Sequence, residues 1–434
     1  MDAELIYISL VLFGTFIILL AIGISISISI LLASIITLFF ELPTDMVLYT
    51  GSQKMFSGID SFGLLAAPFF IFSGNLMNKG GIARRLVNLA LLIGGKIPGS
   101  LLHANVISNM LFGSVCGSSV AAASAVGGFM GPLQREKNYD PRICAAVNIA
   151  SAPTGLLIPP TGMFIIYSLM TGASVATLFI AAYIPGILMG LAVMIYAYFV
   201  AKKYNYPTEE TKNCKEAIRV VIESIPSLAM IIIVIGGIVA GIFTATEGGA
   251  IAVAYALILS LAYKTIKVKD ILPIAIESAY VSGTILFLIA ASGVMSWAMA
   301  FLSIPESISE ILINMSDNKY VIFIIMNIIL LFVGTFMDVA PALLIFTPIF
   351  FPIAVSLGMD PIHFGVMIAF NLCVGNFTPP VGSALFVGCS VAKVSIDEVL
   401  RPLLPIFLLV CVALFLVTYI PWFSLFLPRL FGLI

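Results

Sequence analysis

The sequence predicts an all-α polytopic membrane protein built as an inverted repeat, with two re-entrant hairpins and two broken helices. Three observations predict this fold class: the composition, a motif that recurs at a fixed offset, and the distribution of basic residues. Of 434 residues, 61% are apolar and only 9% are charged, and the apolar residues form runs long enough to cross a bilayer. The near balance of 20 basic and 21 acidic residues argues against nucleic acid as a partner.

The recurring motif is a proline pair within an apolar run. Its two copies are related by a shift of 220 residues, and they read Asp140-Pro141, Gly155, Pro159-Pro160, Gly162 and then Asp360-Pro361, Gly375, Pro379-Pro380, Gly382. Two adjacent prolines remove two backbone donors and break a helix. Within lipid, such a break persists only where protein or a water-filled cavity satisfies the freed carbonyls. A paired break in corresponding halves therefore indicates the binding site of a transporter.

The first half, residues 1–205, is predicted to contain scaffold helices, a hairpin and a broken helix. The apolar run 5–40 is too long for one span and has a Gly-Ser-rich centre, which predicts two short helices with a bend. Arginines beside leucines at 79–96 predict an amphipathic helix at the membrane interface. The later elements are a polar segment at 41–61, a span ending near Met77, a hairpin at about 100–135 whose centre is rich in Gly and Ser, a broken helix at 141–171 and a span at about 176–200.

The second half, residues 206–434, repeats this order after a polar linker from Lys202 to Lys215. An interrupted run at about 320–357 carries Gly334-Thr335-Phe336-Met337-Asp338 at its centre and predicts the second hairpin. The other elements are spans near 219–243, 247–263 and 271–299, an amphipathic piece at 304–318, a broken helix at 361–392 and a last span at 402–427.

Basic residues predict the orientation of these elements. If each hairpin enters and leaves on the same side and every other span crosses once, only Lys54, Lys319 and Arg429 of the 20 basic residues lie apart from the other seventeen. The positive-inside rule places the larger group in the cytoplasm. The first hairpin then opens from the cytoplasm and the second from outside, so the repeat is inverted. This predicts a multi-pass membrane protein, surrounded by lipid, with its N-terminus outside the cytoplasm.

In such a repeat, two hairpin tips meet two helix breaks near the bilayer midplane, where exposed carbonyls can bind a small hard cation. An aspartate within the membrane costs about 2.5–3.5 kcal/mol, so Asp338 needs a partner, and a bound cation would be sufficient. The sequence predicts two pseudo-equivalent cation sites, the first formed by Ser114, Gly117, Ser118, Thr154, Gly155 and Ile158, and the second by Gly334, Thr335, Asp338, Gly375, Asn376, Thr378 and Pro379.

An anionic substrate would have to bind without a buried basic side chain, because the nearest ones, Arg142 and Lys393, lie at the ends of the broken helices. Half-helix termini, with hydroxyl and amide groups, remain as binding groups. The predicted substrate contacts are Ser119, Thr161, Asn371 and Ser383. Structural interpretations stay open: Gly-Ser clusters also serve helix packing, a proline pair can be a simple kink, and Glu247 can be a favourable helix-start carboxylate or a functional residue.

Five segments together resemble one family over essentially the whole chain. They are Gly113-Ser114-Val115-Cys116-Gly117-Ser118, Tyr139-Asp140-Pro141, Ile158-Pro159-Pro160, Ala245-Thr246-Glu247 and Thr378-Pro379-Pro380. They resemble the large membrane subunit of tripartite ATP-independent periplasmic (TRAP) transporters. The resemblance implies a Na⁺-driven importer with an elevator mechanism and two or more Na⁺ sites. It also implies the bacterial inner membrane as the location, which makes the predicted N-terminus periplasmic. It also implies two partners, a small four-helix membrane subunit and a periplasmic substrate-binding protein.

Two departures from the family pattern bear on the solute. Cys116 replaces a serine that many members carry, so no hydroxyl is required there. Ala122 replaces an aspartate of many dicarboxylate-type members and, with Thr154-Gly155-Leu156-Leu157, resembles the sialic-acid branch. The expected activity is therefore Na⁺-coupled uptake of an organic acid anion, with sialic acid (N-acetylneuraminate) as the expected solute.

The alternatives within transport are a C4-dicarboxylate or another sugar acid as solute, and a stand-alone Na⁺/anion transporter of related architecture. An enzyme would need a nucleophile–base pair or a metal cluster within the spans, and both histidines lie near span ends. A channel would need a continuous polar pore, which the inverted halves argue against.

Overall fold

The computed structural model describes residues 3–95, 97–208, 214–316, 318–379 and 381–434, and every long regular element in these ranges is an α-helix. Six described helices are long and apolar enough to cross a membrane, or eight spans if each of two bent helix pairs counts as one. The chain is therefore an all-α, multi-pass membrane protein. The polar linker predicted between the halves includes residues 209–213, and Pro380 completes the second proline pair; both lie outside the described residues.

The first half contains the two short helices, the amphipathic helix, the hairpin and the broken helix that the sequence predicts. Its helices are α1 (Ala3–Ala21), α2 (Ile26–Leu38), α3 (Thr44–Ile59), α4 (Ala66–Lys79), α5 (Ile82–Gly94), α6 (Ser100–Cys116), α7 (Ser119–Glu136), α8 (Pro141–Ser151), α9 (Thr154–Leu157), α10 (Gly162–Thr171) and α11 (Val175–Tyr204). Helices α6 and α7 form the first hairpin, and α8 to α10 form the first broken helix, which bends by 46° at its break.

The second half follows the same order. Its helices are α12 (Cys214–Val239), α13 (Ala245–Ala262), α14 (Val268–Phe301), α15 (Ile304–Met315), α16 (Lys319–Gly334), α17 (Val339–Ser356), α18 (Pro361–Gly375), α19 (Ser383–Ala392), α20 (Ile396–Tyr419) and α21 (Trp422–Leu430). Helices α16 and α17 form the second hairpin, and α18 and α19 form the second broken helix. A shift of 220 residues brings both ends of α7 onto the ends of α17 and the start of α8 onto the start of α18.

The repeated Asp-Pro dipeptide is a helix start in both halves. Asp140 accepts a hydrogen bond from the backbone N–H of Arg142 at 2.9 Å, and Asp360 accepts one from Ile362 at 2.8 Å. The proline that follows each aspartate occupies the first turn, where its missing N–H costs nothing. The Arg142 guanidinium also donates to Asp140 and holds the pKa of that carboxyl below its usual range. The dipeptide therefore fixes where each broken helix begins.

The polar segment at 41–61 contains a helix that the sequence reading did not recognise. Helix α3 packs against α14 through two glycines, Gly58 and Gly293. A Cβ at Gly293 would lie only 3.1 Å from the carbonyl oxygen of Lys54, so the two backbones are in close contact. Close packing against α14 at these small residues thus stabilises α3, although the hydropathy of α3 itself is low. Together α3 and α4 bend by 59° where their counterpart α14 is continuous.

The amphipathic helix predicted at 79–96 is α5. Leu86 and Ala90 on one face are fully buried, and Arg84 on the other is exposed. The guanidinium carbon of Arg85 lies 3.3 Å from the ring centroid of Tyr263, a cation–π contact with the residue after α13. The buried face packs against the first hairpin and α12. The position of this helix at a membrane interface stays a prediction.

Candidate functional site

The first hairpin turns in two residues. Gly117 ends α6 with a φ of 59°, a left-handed conformation that favours glycine, and its N–H donates to the carbonyl of Gly113 at 2.8 Å. Ser118 then caps α7 by accepting a hydrogen bond from the N–H of Ala121 at 3.2 Å. In the second hairpin, Asp338 is the residue before α17, but its side chain does not cap that helix. Its carboxylate therefore remains available to other groups.

Each hairpin crosses a broken helix at a pair of glycines. A Cβ built on Gly155 would lie 2.2 Å from the Cα of Gly113, and one on Gly375 would lie 2.5 Å from the Cα of Gly334. The backbones thus touch one turn or less before each helix break. The sequence named Gly155, Gly334 and Gly375 as candidate ligands but not Gly113, whose only signal was its place in the Gly-Ser tip. We call these contacts the two glycine crossings.

Hydroxyl groups lie around both crossings, and each donates a hydrogen bond to the carbonyl of a residue three or four positions earlier in the chain. The donor–acceptor distances are 3.0 Å from Ser114 to Leu111, 2.5 Å from Thr154 to Ser151, 2.7 Å from Thr335 to Phe332 and 2.6 Å from Thr378 to Val374. A hydroxyl oxygen has two lone pairs, so each of these oxygens can still accept or bind a cation. The hydroxyl oxygens of these four residues therefore have a free lone pair with which they could bind a cation.

Asn376, in the second break, connects both hairpins. Its Oδ1 accepts a hydrogen bond from the Ser119 hydroxyl in the first hairpin at 2.8 Å. Its Nδ2 donates to Oδ1 of Asp338 in the second hairpin and to the hydroxyl of Ser383 in α19, both at 2.9 Å. The sequence divided these four residues between substrate and cation. The structure instead brings them into one hydrogen-bonded cluster, which we call the Asn376 junction.

A cavity of about 290 Å³ opens beside this junction. One wall consists of α4 and α14, and the other of the two hairpin tips and the first break. Its described lining contains no basic side chain, and its polar side chains are Asn75, Asn78, Ser118, Ser119 and Asp338. Sequence reasoning missed the two asparagines. Their available signal was a pair of carboxamides three residues apart in the apolar segment that ends near Met77.

Other predicted residues lie away from the described cavity lining. Asn371 is fully buried and donates to Oδ1 of Asn327 at 2.8 Å, which joins α18 to α16. Glu247 is exposed and forms a capping box with Thr244, whose N–H donates to the carboxylate at 2.7 Å. Thr161 is fully buried, and its hydroxyl has no partner among the described residues. Its neighbours Pro160 and Gly162 line the cavity.

Three further ligand candidates lie at the first break, in the second break and at the first hairpin tip. Ile158 is buried and ends α9 in an extended conformation; its side chain fills the space left by Gly186 of α11. Pro379 precedes Pro380, which the described residues do not include. Gly117 lines the cavity directly.

The family of the chain follows from its sequence match. A family model described as the tripartite ATP-independent periplasmic transporter, DctM component, matches residues 13–423. The chain belongs to this family. As a DctM component it is a membrane subunit of a transporter and not an enzyme, and the family name states that the transporter has three parts.

Relatives of this DctM component carry names for different solutes. It is 52% identical to the uncharacterized protein YgiK of Salmonella typhimurium, with both chains covered in full. It is 36% identical to the sialic acid TRAP transporter large permease protein SiaM of Vibrio cholerae, over 88% of this chain and 89% of SiaM. It is also 36% identical to the C4-dicarboxylate TRAP transporter large permease protein DctM of Rhodobacter capsulatus, over 98% and 100%.

One solved structure supports the fold. The YdaH transporter of Alcanivorax borkumensis, whose crystal structure is described as having an unusual topology, superimposes with a TM-score of 0.61. The match covers 90% of this DctM component and 89% of YdaH at 14% sequence identity. At this identity the likeness concerns the fold alone.

Proposed function

We propose that this DctM component is the large subunit of a Na⁺-coupled TRAP transporter that takes up an organic acid anion, with sialic acid as the first solute to test. The Asn376 junction beside the cavity carries the proposal. It joins both hairpins, both parts of the second broken helix and the carboxylate of Asp338 through hydrogen bonds of 2.8–3.4 Å. A ligand bound there would act on both halves of the chain at once.

The oxygen donors around the glycine crossings support Na⁺ as the coupling ion. Na⁺ binds hard oxygen ligands such as hydroxyls, carboxylates and the carbonyls of unwound helix. The first proposed site uses the tip at Ser114–Ser118 with backbone near Thr154–Ile158, and the second uses Gly334–Asp338 with Gly375–Pro379. Asp338 is exposed to the cavity and accepts only two hydrogen bonds from described residues. A cation would neutralise it and could hold a substrate carboxylate where no described basic side chain does.

The position of the cavity supports an elevator mechanism. It lies between α4 and α14 on one side and the hairpin tips on the other, so a rigid movement of hairpins and broken helices past these two helices would carry the solute. We propose that α1 to α5 and α12 to α14 form a fixed scaffold. The small four-helix subunit packs on that scaffold, and a periplasmic binding protein delivers the solute. The halves are inverted in the bacterial inner membrane, with a periplasmic N-terminus.

The choice of sialic acid as the solute depends on two features of the sequence. Ala122 and Thr154–Leu157 favour sialic acid, whereas the relatives named for sialic acid and for C4-dicarboxylates are equally similar at 36% identity. Uptake should therefore be measured for N-acetylneuraminate and succinate in parallel. Proteoliposomes would hold this subunit with its small subunit, and the binding protein would be added outside.

We expect an inward Na⁺ gradient to drive N-acetylneuraminate accumulation, and we expect replacement of Na⁺ by K⁺ to abolish it. Accumulation driven equally well by K⁺ would contradict Na⁺ coupling. Accumulation of succinate but not N-acetylneuraminate would agree with Na⁺-coupled transport and would contradict sialic acid as the solute.

A further inference from the structure

The scaffold wall of the cavity carries two carboxamides that the proposed ion sites do not use. Asn75 and Asn78 are three residues apart on α4 and therefore share one face of that helix. Both line the cavity, together with the apolar Val281 and Ile285 of α14. The Asn78 side chain has no hydrogen-bond partner among the described residues and is half-buried. These side chains are therefore available to a ligand from the side opposite the hairpin tips.

Hydrogen bonds with α14 determine how Asn75 is oriented. The Ser278 hydroxyl donates to the carbonyl of Ile274 at 2.8 Å, so its oxygen can only accept from Asn75. The amide nitrogen of Asn75 makes that bond at 2.9 Å. Its Oδ1 is left as a free acceptor at the cavity wall. One turn further on, the Lys79 ammonium lies 2.5 Å from the Glu277 carboxylate and ties the same two helices together.

We propose that Asn75 and Asn78 bind the uncharged end of the substrate, so that the site takes a monocarboxylate carrying hydroxyl or amide donors rather than a dicarboxylate. The inference rests on the proposed function and adds the substrate class. A substrate O–H or N–H can donate to Oδ1 of Asn75, and Asn78 can both donate and accept. A second carboxylate is acceptor-only: it could accept from Asn78, but it would face the acceptor Oδ1 of Asn75 and would be desolvated with no described basic side chain as counter-charge.

The preference for a hydroxylated monocarboxylate over a dicarboxylate follows from the free-energy cost of unpaired polar groups. A site built to hydrogen-bond a donor rejects an analogue without it, because polar groups of the protein that the ligand covers then stay unpaired. The hairpin side of the cavity supplies the complementary half: Ser118, Ser119, Asp338 and the proposed Na⁺ would hold the carboxylate. The substrate would thus lie across the cavity, with its charge toward the tips and its hydroxyls toward α4.

Binding to the purified complex of large and small subunits tests this inference without the selectivity of the binding protein. Binding of labelled N-acetylneuraminate in Na⁺ buffer would be measured for the unaltered complex and for Asn75→Leu and Asn78→Leu. Loss of one neutral hydrogen bond should raise the half-saturating concentration about 3- to 10-fold in each variant. The Na⁺ concentration needed for binding should not change. Ser278→Ala, which only frees Asn75, should have a smaller effect.

Asn88→Leu is the matched control, since Asn88 is a half-buried asparagine on α5 outside the described cavity lining. Asn78→Ala provides a second test if a leucine variant fails to fold, because Asn78 makes no described hydrogen bond. Succinate should compete weakly with N-acetylneuraminate in the unaltered complex. Unchanged affinity in the folded Asn75 and Asn78 variants, or equal competition by succinate, would overturn the inference while Na⁺-dependent binding stands. An unaltered complex that binds neither anion in Na⁺ would overturn the proposed function and this inference with it.

Discussion

Asn376 uses both ends of one carboxamide to connect residues that are far apart in the chain. Ser119 donates to its oxygen, while its nitrogen donates to Asp338 and Ser383. The sequence could mark Asp338 and Asn376 as ligand candidates because an intramembrane carboxylate and a proline break are local signals. The bond from Ser119 to Asn376 could not be predicted, since spacing within a chain does not show which side chains of the two halves meet.

Replacing Asn376 by leucine should lower the free energy of unfolding of the protein and abolish uptake. The change removes three hydrogen bonds, and the Ser119 hydroxyl, which is buried, loses its partner at a cost of about 1–3 kcal/mol. Ser119→Ala removes one bond and should lower thermal stability much less. Thermal unfolding of both variants in detergent would test this. Equal stability of the two would show that the junction contributes little.

Asp338→Asn should raise the Na⁺ concentration for half-maximal uptake about 10-fold or more. A neutral amide loses the charge attraction that offsets desolvation of the ion, and interactions with charged groups contribute about 1.5–3 kcal/mol. Asp60→Asn, at an exposed position after α3, is the control and should leave Na⁺ dependence unchanged. Uptake rates would be measured over a range of Na⁺ concentrations. Normal Na⁺ activation in Asp338→Asn would exclude the second site as proposed.

The elements that proline and glycine motifs mark in the sequence were predicted. The elements that depend on contacts with distant parts of the chain were not. Prolines and glycines marked both hairpins and both broken helices, and the bounds of α7 and α17 agree with them. Helix α3 was missed because its hydropathy is low and its contact with α14 depends on Gly58 and Gly293. The scaffold side of the cavity was missed for the same reason, since Asn75 and Asn78 become a binding surface only when α4 packs opposite the hairpin tips.

The glycine crossings predict that added methyl groups there will separate a hairpin from its broken helix. Gly155→Ala and Gly375→Ala would each place a Cβ within 2.5 Å of backbone atoms, and such overpacking costs about 1–3 kcal/mol or more. Gly128→Ala, in α7 with no atom within 4 Å of its added Cβ, should be neutral or stabilising. Thermal unfolding temperatures of the three variants would be compared. A Gly155→Ala protein as stable as Gly128→Ala would contradict the crossing.

At the scale of the whole molecule, coupling to two Na⁺ would make transport of a monoanion electrogenic. One net positive charge would enter per cycle and gain about 2.3 kcal/mol for every 100 mV of inside-negative potential. A potassium diffusion potential imposed with valinomycin should therefore accelerate uptake into proteoliposomes. Collapsing the potential with equal potassium on both sides is the control. Uptake insensitive to the potential would require a different stoichiometry or a different substrate charge.

The proposed scaffold predicts which contacts stay constant during transport. Cross-links between α1 or α2 and the small subunit should form with equal yield in Na⁺ and in K⁺, because both partners belong to the fixed part. Cross-links between α4 and the first hairpin tip should change with Na⁺, because α4 belongs to the proposed scaffold and the tip to the moving part. A strong Na⁺ effect on the first set would assign α1 and α2 to the moving part.

The glycine crossings and the Asn376 junction also imply an order of assembly during synthesis. Gly113 meets Gly155, and Gly334 meets Gly375, so each crossing joins residues of one half and can form as soon as that half has left the ribosome. Ser119 can reach Asn376 only after almost the whole chain has been made. The first hairpin should therefore resist protease in ribosome-bound chains well before its tip becomes fixed. Formation of this bond therefore distinguishes a chain that extends past Asn376 from one that is truncated before it.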